Sequence, residues 1–178
     1  MLNRAWFLCD LEASLNPTQG GWVIFLTLLV AMVFGTFHLP ATWPEWLSMI
    51  RPNWLLVVLF FWLIEVPHRI GLIGTWILGL MVDVLLAQPL GLNGLILASI
   101  TYVTWRFYER LRMYSALQQS GVVFVIVGLA EIFRVMVISL DSERAFGFEL
   151  LTIPAMSMLA WPIIYLLLIR LRTGMRIE

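Results

Sequence analysis

Three ionisable residues sit where apolar residues are expected. Asp83 lies in the run Ile70 to Ala87, and Glu131 and Arg134 lie in the run Gly121 to Leu140. A charge at the centre of a bilayer costs at least about 2.5 kcal/mol, so such a residue faces protein or a watery cavity. Asp83 could serve as an ion site, a proton relay or a helix contact; near the outer end of its run it could instead reach interface water. Glu131 and Arg134 are three apart and share a helix face, which favours an intramembrane ion pair over catalysis. Arg134 is the one basic residue within an apolar run, so an Asp83–Arg134 contact is also expected.

Small residues accompany these charges. Gly71, Thr75, Gly79, Asp83 and Ala87 recur at every fourth position, and residues four apart share one face of a helix. That face is thin and carries one carboxylate. Gly121 and Gly128 precede Glu131 on a second such stripe. Small residues let helices approach closely in a membrane, so Gly71, Thr75, Gly79, Asp83, Gly121 and Gly128 are the expected partner or helix contacts. Asp83, Glu131 and Arg134 form the expected polar network.

The elements that carry these residues follow from composition. Of 178 residues, 61% are hydrophobic and 12% charged, against about 25% charged in soluble domains. The class is an all-α polytopic membrane protein. Six spans are expected, over about 22–39, 54–64, 70–87, 92–107, 121–140 and 150–169. The second is short, and Trp54 to Ala87 could instead form a re-entrant hairpin. Pro162 removes a backbone donor inside the sixth span, so a kink is expected there. Residues 1–21 are expected to be a cytoplasmic segment, with an interfacial helix or a frayed tail over 3–15. Residues 22–172 form the membrane domain and 173–178 the tail. No cleavable signal pattern opens the chain.

Charge orients the spans. Arg4, Arg69, Arg106, Arg110, Arg112, Arg170, Arg172 and Arg176 fall on one side, with Arg51 and Arg144 on the other. Basic residues collect on the cytoplasmic side, so both termini are expected inside. All eleven basic residues are Arg, and the zero net charge gives no sign of a nucleic-acid partner. The single cysteine, Cys9, excludes a disulfide within the chain.

Nothing in the sequence marks an enzyme. The chain has no G-x-S-x-G or H-E-x-x-H, no Walker loop and no Cys/His cluster of zinc spacing. His38 and His68 fall on opposite membrane faces in this topology, so no metal site is expected, and no cofactor either. Arg51-Pro52-Asn53 at a span entrance and His68-Arg69 after Pro67 could be recognition elements, or a helix start and a topology anchor.

These last motifs carry a resemblance. Arg51-Pro52-Asn53-Trp54, then Pro67-His68-Arg69, Gly79-Leu80 with Asp83, and Leu90-Gly91 resemble the MreD family of bacterial rod shape-determining membrane proteins. Gln118-Gln119 and Trp161-Pro162 fit the same pattern, over residues 22–172 in all. The resemblance implies a non-enzymatic inner-membrane component of the cell-elongation machinery. Its implied partners are MreC, MreB, RodA, the elongation-specific penicillin-binding transpeptidase and membrane lipids. It also implies a fold similar to the substrate-binding membrane subunits of energy-coupling-factor transporters. From that likeness comes a second reading, a small-molecule or lipid-intermediate binder or transporter using Asp83, Glu131 and Arg134 in a cavity.

Overall fold

The computed structural model describes residues 17–36, 52–139 and 149–174. Every regular element among them is helical: α1 (Pro17–Thr36), α2 (Trp54–Glu65), a 3-10 turn (Pro67–Arg69), α3 (Leu72–Leu85), α4 (Leu92–Met113), α5 (Ala116–Ser139) and α6 (Glu149–Gly174). The segments 1–16, 37–51 (Arg51 among them) and 140–148 and the last four residues lie outside the described residues, as do the expectations placed on them.

The shortest helix is the most buried. Every residue from Leu55 to Ile64 in α2 is buried, and α1, α4, α5 and α6 all pack on it. At about 1.5 Å per residue, α2 is only about 18 Å long, too short to match a bilayer of about 30 Å. It has no need to, because its backbone and side chains are enclosed by protein rather than lipid. That is why its sequence is apolar all round, with no polar face. Two antiparallel pairs, α3 with α4 and α5 with α6, make the most extensive contacts. The turn Gln88–Gly91 joins the first pair, and Gly91 takes a left-handed φ of 97° there, which glycine alone adopts without strain.

The outward faces carry large apolar side chains, among them Ile73, Leu129 and Ile163, while Thr75, Asp83, Asn93, Thr101 and Ser157 are buried. Apolar side chains outside and polar groups inside is the arrangement a lipid solvent requires. By length and composition α5 and α6 are each able to cross a membrane.

Several boundaries differ from the expected spans. The first helix begins at Pro17 rather than Trp22, because proline is well placed in a first helical turn. The charged stretch Arg106, Glu109, Arg110 and Arg112 straddles the expected end of the fourth span at about 107 and lies within the C-terminal part of α4, which runs on to Met113. These residues form helix well, and Arg110 and Arg112 oppose the negative end of the helix dipole. The next helix then starts at Ala116 rather than Gly121. Ser115 and Gln118 cap it reciprocally, the Gln118 amide donating to Ser115 Oγ (3.4 Å) and the Ser115 amide to Gln118 Oε1 (3.0 Å). In α6 the helix continues through both Pro154 and Pro162.

Candidate functional site

The expected polar residues converge at one end of the bundle, and three uncharged residues complete the group. Asp83 lies in the last turn of α3 and is fully buried, so it does not reach interface water. Its Oδ2 accepts from the Gly91 amide (2.8 Å), and its Oδ1 accepts from the Asn93 amide (3.0 Å) and from Asn93 Nδ2 (2.8 Å). Those donors sit at the start of α4, where the first amides of a helix have no partner within it. The carboxylate thus caps the next helix and closes the α3–α4 turn. Asn93 Nδ2 also donates to Gln88 Oε1 (2.8 Å).

Asn93 carries the network onward. Arg134 Nη2 donates to Asn93 Oδ1 (2.8 Å), and Arg134 Nη1 pairs with Glu131 Oε1 (2.5 Å). Asp83 and Arg134 therefore meet through Asn93, not in direct contact. Asn53 Nδ2 also approaches Glu131 Oε1 (3.4 Å), while Asn53 Oδ1 caps α2 by accepting from the Leu56 amide (3.3 Å). The Asn53 amide in turn donates to Ser157 Oγ on α6 (2.9 Å). A chain of six residues, Asp83, Asn93, Arg134, Glu131, Asn53 and Ser157, joined by their side chains and by the Asn53 backbone amide, thereby ties α2 through α6 together. Glu131 Oε2 carries no share of these bonds, and Arg134 Nε is buried with no partner. An unmet buried donor costs about 1–3 kcal/mol.

This group borders a cavity of about 260 Å³ lined by Asn53, Gln88, Asn93, Glu131 and Arg134, with an apolar rim that includes Phe34, Trp54 and Leu86. At the opposite end of the bundle a second ion pair joins Glu65, at the end of α2, to Arg172 on α6. Among the described residues, no three His, Cys, Asp or Glu side chains converge as a metal site would need.

The small-residue stripe divides into two parts. Thr75, Gly79 and Asp83 are buried, and Gly79 faces α4 so closely that a Cβ there would lie 2.5 Å from the Gly94 nitrogen. This face is a contact within the chain. Gly71 and Gly74 are open: a Cβ at either meets nothing within 4 Å. Gly121 is open as well, whereas a Cβ at Gly128 would touch the Pro154 ring at 3.8 Å. Ala87, the last of the stripe, has a positive φ of 50° and is exposed in the turn beyond α3.

The motif residues shape backbone. Pro52, Asn53 and Trp54 start α2, and Pro67, His68 and Arg69 form the 3-10 turn after it. Gly91 delivers its amide to Asp83. Gln118 is part of the α5 cap, and Gln119 Nε2 donates to the Leu111 carbonyl (3.0 Å), bracing the α4–α5 connection. Trp161 is fully buried between Phe60 and Tyr165, with ring centroids 5.2 and 6.0 Å away, and Pro162 follows it within α6.

Asn93 and Ser157 escape a reading that looks for charges. The signal for Asn93 is a polar residue two positions after a turn glycine at the mouth of an apolar run. Because Asp83 holds backbone amides rather than Arg134, exchanging the charges in an Asp83→Arg, Arg134→Asp double variant should not restore stability. A thermal melt of that double variant at or above the better single variant would contradict this arrangement.

The profile of the rod shape-determining protein MreD matches residues 17–171. The rod shape-determining protein MreD of Haemophilus influenzae is 28% identical over 138 residues, which cover 78% of this chain and 85% of that protein. No solved structure matches the chain. A match running from the first residues of α1 almost to the end of α6 takes in the whole polar network and both helix pairs, and the chain belongs to the MreD family of rod shape-determining proteins.

Proposed function

We propose that this protein is a non-enzymatic, multi-pass scaffold of the bacterial inner membrane that docks the membrane segment of MreC and supports the lateral-wall synthase. MreB, RodA and the elongation-specific penicillin-binding transpeptidase complete the assembly it serves. Family membership gives the role in rod shape. The observation that carries the docking step is the groove between α1 and α3. It is lined by Ile24, Phe25 and Leu28 on one side and by Gly71, Gly74, Ile77 and Met81 on the other, with a volume of about 350 Å³. Its two glycines leave backbone exposed, which is how transmembrane helices pack closely.

The orientation follows the basic residues. Arg69, Arg106, Arg110, Arg112, Arg170 and Arg172 lie toward the end opposite the polar network, and this bias supports a cytoplasmic placement of that end with the network end outward. Catalysis is not part of this reading: the buried charges are engaged with one another and with backbone, and their arrangement serves to join helices.

Gly74→Leu is the direct test. It fills the groove without touching the α4 contact, so the protein should accumulate normally while MreC recovered with it falls by about tenfold, as overpacking by roughly 1–3 kcal/mol implies. Unchanged MreC recovery with normal accumulation would refute the docking site.

A further inference from the structure

Two cavities meet at one aromatic pair. Phe34 and Trp54, with ring centroids 6.4 Å apart, line both the polar cavity described above and a second, apolar groove of about 420 Å³ between α1, α2 and α6. The groove runs from these rings past Val30 and Val58 to Leu171, toward the opposite end of the bundle. One polar chamber continued by one apolar trough has the shape of a lipid: a headgroup, then an acyl chain.

The charges of the chamber select the headgroup. Both hydrogen bonds made to Glu131 end on Oε1, from Arg134 and from Asn53, so Oε2 can accept from a further donor. The guanidinium of Arg134, which lines the chamber, spends one N–H of Nη1 on Glu131 and one of Nη2 on Asn93, and each of these nitrogens keeps a second N–H for a further acceptor. An acceptor and a donor of opposite charge therefore stand side by side. A purely anionic ligand would meet the Glu131 carboxylate as well as Arg134, with the buried Asp83 carboxylate behind Asn93 adding to the negative charge. A zwitterion with an N–H-bearing cation fits both sites through charge-assisted hydrogen bonds.

We propose that this protein binds a zwitterionic phospholipid with a primary ammonium headgroup. The ammonium donates to Glu131, the phosphate accepts from Arg134, and one acyl chain lies in the α1–α2–α6 groove. The site is separate from the α1–α3 groove assigned to MreC, and the two stand or fall independently.

Native mass spectrometry of the full chain tests it. The protein, released in a mild nonionic detergent, is incubated with phosphatidylethanolamine, phosphatidylcholine and phosphatidylglycerol at equal mole fraction. Phosphatidylethanolamine should be retained at least fivefold over each of the others, because the choline cation has no N–H and the glycerol headgroup has no cation. Glu131→Gln should abolish that preference. Val30→Trp, at a half-exposed position in the apolar groove and away from the polar network, should cut retention of all three lipids at least fivefold with an unchanged thermal melt. Equal retention of the three lipids by the native chain would overturn the proposal, as would an unchanged preference in folded Glu131→Gln. Val30→Trp also decides where Glu131→Gln fails to fold: wild-type retention in that variant overturns the site.

Discussion

Gly79→Leu should leave almost no folded protein in the membrane. A Cβ at Gly79 would stand 2.5 Å from the Gly94 nitrogen and 2.6 Å from the Asn93 carbonyl carbon. Those neighbours are backbone, so no side chain can rotate away, and α3 and α4 must separate. Overpacking where side chains can adjust costs about 1–3 kcal/mol, and here even Gly79→Ala should reach the top of that range. Leucine adds three further heavy atoms to the same contact. Separation of the helices also withdraws Asp83 from the amides it caps, so the loss extends to the polar network. The control is Gly121→Leu, where the added Cβ meets nothing within 4 Å and accumulation should be unchanged. Immunoblotting of membranes and thermal melts of solubilised protein read both variants. Normal accumulation and melting of Gly79→Leu would show that the two helices do not cross as described. Loss of MreC from that variant would report unfolding, which is why the docking test uses Gly74.

Asp83→Ala should be the most damaging removal of a charge. Hydrogen bonds between helices in membranes average only about 0.6 kcal/mol each, so a single lost bond would barely register. Asp83 differs because one fully buried carboxylate accepts from three N–H groups, two of them backbone amides at the start of a helix. Its loss leaves those donors unmet and removes the anion that Arg134 faces through Asn93. Breaking a buried charged group's partnerships costs on the order of 3–5 kcal/mol. Asp83→Asn keeps one acceptor oxygen and should lose less. Hydrogen exchange locates the effect: the Gly91 and Asn93 amides should exchange much faster in Asp83→Ala, while the amides of Leu59 to Leu63 in α2 change least. Unchanged protection at Gly91 and Asn93 would contradict the capping role.

The sequence displays some of this directly. Asp83, Glu131 and Arg134 stand out because charges within apolar runs are costly and therefore conspicuous. The thin face of α3 is visible in the spacing of Gly71, Thr75 and Gly79, and the short Gln88–Gly91 turn already implies antiparallel neighbours. Periodicity could not say which part of that face is used within the chain. The answer depends on Gly94, whose position opposite Gly79 follows from the path of the turn. Asn53 reads as an ordinary helix cap, which it is; its second bond, to Glu131 on α5, depends on a tertiary arrangement that spacing does not encode. The same holds for Glu65 and Arg172, which are 107 positions apart and form an ion pair. The end of α4 was hidden for another reason. Its Arg-rich turns look like a loop to a hydropathy scan but favour helix by propensity.

The claim on which the rest depends is that this bundle presents its α1–α3 groove to a neighbouring membrane helix while its polar residues hold its own helices together. Site-specific photocrosslinking in intact membranes tests it most directly, with a photoreactive residue placed at Gly74 in the groove or at Leu129 on the exposed face of α5. The account predicts a crosslink to MreC from position 74 and none from position 129. A crosslink to MreC from 129 with none from 74, in protein that accumulates normally at both, would contradict it.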